Sequence, residues 1–132
     1  MIADVVSLEA VRERFGTSTP RRQFLFERFR MVFDLLHETG KVKHIYLFGS
    51  FVAAIPRPND VDLFVILTSG FTMRGLREEV ASVFTHNPCR IRYNADAFWV
   101  IEGIGEEQIK AALDVFSRTR MQESQALLEV TR

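Results

Sequence analysis

The chain of 132 residues is 47% hydrophobic, enough to bury roughly two-thirds of its unfolded surface around one core and too short for a second domain of ordinary size. Seventeen basic and seventeen acidic side chains cancel, which excludes a net field steering the chain onto nucleic acid or an anionic membrane. A lone Cys89 rules out an internal disulfide framework, and the absence of a basic leader or a membrane-length apolar run makes the expectation one cytoplasmic domain over 1–132.

Leu8–Phe15 has the pattern of a short helix. Gly16-Thr17-Ser18-Thr19-Pro20 breaks it and starts the next, with Thr19 as N-cap and Pro20 at the first helical position. That helix runs to about Glu38 before Gly40, so residues 1–40 are largely helical. Leu25, Phe29, Val32 and Leu36 form its core stripe, while Phe26 and Phe33 are a partner surface if they stay exposed. Strands follow over residues 43–48 and 61–67, a helix over 72–84 with Met73, Leu76, Val80 and Val83 inward, and a strand over 91–101. Residues 106–116 read as an amphipathic helix, and 122–130 continue it or pack as another. The order implies an α+β fold, a small mixed or antiparallel sheet packed with helices.

The chemistry concentrates between the first two of these strands. Gly49-Ser50 ends one, and Asp60 and Asp62 open the other after a loop that carries Arg57. Residues two apart on a strand share a face with alpha carbons roughly 6–7 Å apart, so the carboxylates converge and repel by about 3 kcal/mol at an effective dielectric near 20. A divalent cation on oxygen ligands offsets such repulsion, and so does a nearby arginine such as Arg57. Glycine admits a close backbone approach to an anion, and exposed amides with the Ser50 hydroxyl donate to phosphate oxygens.

Gly49-Ser50, nine residues, then Asp60-Val61-Asp62-Leu63 resembles the signature of the nucleotidyltransferase superfamily, the DNA polymerase beta-like fold. The run G-S-F-V-A-A-I-P-R-P-N-D-V-D-L is similar to that of its small uncharacterised bacterial members. The resemblance implies Mg²⁺ or Mn²⁺ on Asp60 and Asp62, a nucleoside triphosphate whose phosphates meet Gly49, Ser50 and Arg57, and a third carboxylate on a neighbouring strand. Asp96 fits that last role, since Arg92, Asn94, Asp96, Phe98 and Val100 would share one strand face. It would ligate the metal or assist deprotonation of the acceptor. The chain departs from the superfamily in having Phe51, Val52, Ala53 and Ala54 where minimal members place a small residue, an arginine and a glycine.

Other motifs carry less. Gly103-Ile104-Gly105 lies among Glu102, Glu106 and Glu107, which repel phosphate, and reads as a turn. His86 and Cys89 lack two further ligands for zinc. His37 reads as a surface residue near a helix end, and His44 as edge packing, with approach to a bound nucleotide as the alternative. Three functions remain open. The first is transfer of a nucleoside monophosphate to a hydroxyl on a macromolecular partner, as in antitoxin-like minimal members. The second is contact with a partner without catalysis, and the third is nucleotide sensing.

Overall fold

The computed structural model describes residues 3–53, 55–103, 107, 108, 110, 111 and 127–132. The chain begins with a strand, β1 (Asp4–Ser7), and Ser7 ends it by accepting the Ala10 N–H at 3.0 Å as N-cap of α1 (Leu8–Phe15). Thr19 caps α2 (Pro20–Glu38) in the same way, its hydroxyl 3.1 Å from the Arg22 N–H and Pro20 at the first position. The stripe Leu25, Phe29, Val32 and Leu36 is fully buried. Phe26 and Phe33 are buried too, which removes the exposed partner face that their spacing left open.

Next come β2 (Val42–Phe48), a 3-10 turn (Ser50–Val52) and β3 (Val61–Leu67), antiparallel to β2 with Phe48 opposite Asp62. The helix expected over 72–84 is confined to α3 (Glu78–Val83). Thr72 turns the backbone by accepting the Arg74 N–H, and Gly75 sits at φ +82°, so helical geometry starts only beyond it. Met73 is consequently exposed, while Val80 and Val83 are buried as their spacing implies.

The strand expected over 91–101 begins later. Residues before it form α4 (His86–Tyr93), and β4 covers Ala95–Ile101. Pro88 lies in the first turn of α4, where its missing N–H needs no partner, and Asn94 in the left-handed region (φ 50°) ends the helix and redirects the chain. Arg92 and Asn94 therefore do not share the strand face that Asp96, Phe98 and Val100 share.

Residues 107, 108, 110 and 111 are helical, and the rest of the helix expected over 106–116 lies outside the described residues. The helical reading of 122–130 fails at its end, because Leu128–Thr131 is β5. Leu128 and Val130 alternate into the core, a period of two in a segment too short to announce it.

The sheet order is β1-β5-β2-β3-β4. β1 pairs with β5 and β3 with β4 in parallel, and β2 pairs with β5 and β3 antiparallel. This is a mixed sheet in an α+β fold. The β3–β4 pairing needs a crossover, which α3 and α4 supply. Alternation sends Ile45, Leu47, Leu63 and Val65 to the main core, and Tyr46, Phe48, Phe64 and Ile66 to a second cluster across the sheet. Asp62 and Asp96 belong to that second face. No helix among the described residues is long and apolar enough to cross a membrane.

Candidate active site

Asp60 precedes β3, Asp62 is its second residue, and Asp96 is the second residue of β4 in register with Asp62. Parallel pairing places register partners on one face, so two strands deliver two acids to one place. One oxygen from each of Asp60, Asp62 and Asp96 lies within 4.8 Å of the others. At that separation each pair of charges repels by about 3 kcal/mol at an effective dielectric near 20. Asp62 is only 4% exposed, where water screens it least.

The donor set fits a small hard cation. All three ligands are carboxylate oxygens, the chemistry of Mg²⁺ and Mn²⁺ rather than of zinc. Asp96 Oδ1 is buried and makes no hydrogen bond, an acceptor that a bound cation would satisfy.

Gly49 explains how the turn reaches the acids. Its φ is +82°, and a β-carbon built there would stand 2.3 Å from Asp62 Oδ2. Glycine is thus required by Asp62 itself, a constraint beyond the phosphate approach that its sequence context suggests. After it, Val52 N–H bonds to the Gly49 carbonyl and Ala53 N–H to that of Ser50, leaving the amides at the start of the turn without partners inside it.

Two arginines that sequence reading missed hold this loop. Arg22, buried, donates to the carbonyls of Phe51 at 2.7 Å, Ala53 at 2.7 Å, Ile55 at 2.6 Å and Phe15 at 3.2 Å. Burial lowers its pKa from the ordinary arginine value, yet four carbonyl dipoles accept its charge. Arg21 donates to the carbonyls of Pro58 and Asn59, immediately before Asp60. Adjacent arginines in the first turn of α2 oppose the helix dipole, and that anomaly was the available signal.

The remaining candidates are scattered. Arg57 is exposed on the loop, and no salt bridge among the described residues joins it to an acid. Beside Asp96 Oδ1 stand Arg90, its Nε 3.3 Å away, and the His86 ring, its Nδ1 3.8 Å away. His44 is opposite Ile66, at the other end of β2 from the acids, and its Nδ1 lies 2.5 Å from Glu129 Oε2. The Cys89 thiol is buried in α4, and burial, with the charge of Asp96, pushes its pKa up to about 12. Gly103 is in the left-handed region, and residues 104–106 lie outside the described part.

The profile of a family described as a family of unknown function (DUF6932) matches residues 5–131. No curated protein matches the sequence. Among solved structures, a Sulfolobus solfataricus chain named provisionally as a nucleotidyltransferase superposes with a TM-score of 0.42 at 16% identity, over 70% of this chain and 83% of that one. So distant a likeness assigns no activity.

Proposed function

The chain belongs to that family of unknown function, and we propose that it is a metal-dependent nucleotidyltransferase moving a nucleoside monophosphate from a nucleoside triphosphate to a hydroxyl of a macromolecular partner. The observation that carries this reading is the convergence of Asp60, Asp62 and Asp96 within 4.8 Å, beside a glycine turn shaped around one of them. Bound Mg²⁺ or Mn²⁺ would supply charge neutralisation at the phosphates and orientation of the reacting groups.

Asp60, Asp62 and Asp96 would hold the cation. The amides at Gly49-Ser50 and the Ser50 hydroxyl hold the β- and γ-phosphates, with exposed Arg57 the loop's own cation for them. Asp96 accepts the proton of the acceptor hydroxyl, whose oxygen bonds to the α-phosphorus as the bond to pyrophosphate breaks. Most of the rate enhancement comes from holding these groups in line.

A second reading has an observation of its own. Phe51, Val52 and Ala53 are buried apolar residues, so no cation stands directly after the glycine turn and before Arg57, which favours weak turnover and a role in nucleotide sensing or partner contact. Incubation with α-labelled triphosphates, Mg²⁺ and the product of a neighbouring gene separates the two. Transfer of label that requires metal and disappears in Asp62→Asn is expected. Nucleotide and metal binding without any labelled product would overturn the transferase in favour of the sensor.

A further inference from the structure

Three carboxylates this close repel one another, and a positive charge beside them offsets that repulsion when no metal is bound. Arg90 lies in the last turn of α4, four residues before the left-handed Asn94 that ends the helix. Its Nε is 3.3 Å from Asp96 Oδ1, yet that oxygen makes no hydrogen bond. The contact is an ion pair without directional bonding, held by charge and easily exchanged. The Arg90 side chain is 56% exposed, so little packing fixes it. It also lines a cavity of about 180 Å³ together with Asn59, Asp60, Asn94 and Ala95. One guanidinium therefore stands between the acid that it neutralises and open space beside the first acid of the triad.

We propose that Arg90 is a stand-in cation, paired with Asp96 while the site lacks metal and released to the triphosphate when a divalent cation arrives. This rests on reading the three carboxylates as a cation site and assigns a phosphate-binding charge in addition to that of Arg57 on the loop. A planar guanidinium suits both states, since carboxylate and phosphate present the same spacing of oxygens to its fork. The two ligands then respond to Arg90 with opposite signs. Before nucleotide binds, Arg90 opposes the metal by occupying Asp96; afterwards it favours the triphosphate.

Calorimetric titration of Mn²⁺ alone, and of a non-hydrolysable triphosphate at saturating Mn²⁺, into the parent and Arg90→Gln reads both effects without requiring turnover. Arg90→Gln should bind Mn²⁺ about tenfold more tightly or better and the triphosphate about tenfold more weakly, while Arg90→Lys recovers part of each. A purely structural residue would weaken both ligands together, and that result, or Mn²⁺ affinity equal to the parent's, overturns the proposal. A parent that binds Mn²⁺ but no triphosphate strikes the transferase reading instead, and the Mn²⁺ comparison still decides for or against Arg90 as the stand-in cation.

Discussion

Gly49 shows how a single residue can couple backbone geometry to charge placement. Alanine there would incur roughly 1–3 kcal/mol for a backbone conformation, φ +82° and ψ −159°, that essentially only glycine adopts, and its β-carbon would fall 2.3 Å from Asp62 Oδ2. Gly49→Ala should therefore lower the melting temperature and displace the carboxylate. In the background of Asp62→Ala the collision with the carboxylate is gone and only the β-carbon at position 62, 3.3 Å away, stays close, so the same substitution should be milder by about 1 kcal/mol or more. Equal losses in both backgrounds would show that Asp62 is not what the glycine accommodates. A second residue-scale effect concerns His37, whose Nε2 is buried without a hydrogen bond. Burial, and secondarily the charge of Arg132, lowers its pKa from 6.5, against an opposing pull from Asp34. The unfolded chain then takes up the proton first as pH falls, so His37 stabilises the fold above about 6.5 and that contribution fades at lower pH. Melting temperature should fall less from about pH 7.5 to 5.5 in His37→Gln than in the parent; parallel curves would contradict this. The surface role read from its place near a helix end missed the burial, which depends on what packs over that end.

At the scale of elements, α2 is both a core helix and the clamp of the site loop. Replacing Arg22 with Met keeps the length of the stem but leaves the carbonyls of Phe15, Phe51, Ala53 and Ile55 without their donor. The cost should be about 3 kcal/mol or more in denaturant unfolding, with weaker triphosphate binding although Arg22 touches no ligand. Stability within about 0.5 kcal/mol of the parent would refute the clamp. The capped helices and the strand Val61–Leu67 were legible in the sequence because caps, period and a buried apolar run are local signals. Asp96 was legible for a subtler reason. Its strand starts at Ala95 rather than 91, but alternation keeps Asp96, Phe98 and Val100 on one face wherever the strand begins. Arg22 and Arg90 were not legible, since each acts on a partner supplied by a different element. β1 and β5 escaped notice because four-residue strands at opposite ends of the sequence are defined mainly by each other.

For the molecule as a whole, the mixed sheet gathers acids from two strands and a glycine turn from a third onto one end of one face. The overall charge is balanced, so the concentrated negative charge is local and was built by topology. Relief of its repulsion should make metal-free Asp62→Asn at least as stable as the parent, and loss of stability by more than about 1 kcal/mol would mean that Asp62 is held by favourable contacts instead. Asp60, Asp62 and Asp96 acting as one cation site that receives a nucleotide is tested most directly by diffraction from crystals soaked with Mn²⁺ and a non-hydrolysable triphosphate. The predicted result is one anomalous peak about 2.0–2.2 Å from an oxygen of each aspartate, with the phosphates lying against Gly49-Ser50. No peak at the three acids, or a metal and nucleotide bound elsewhere on the chain, would contradict it.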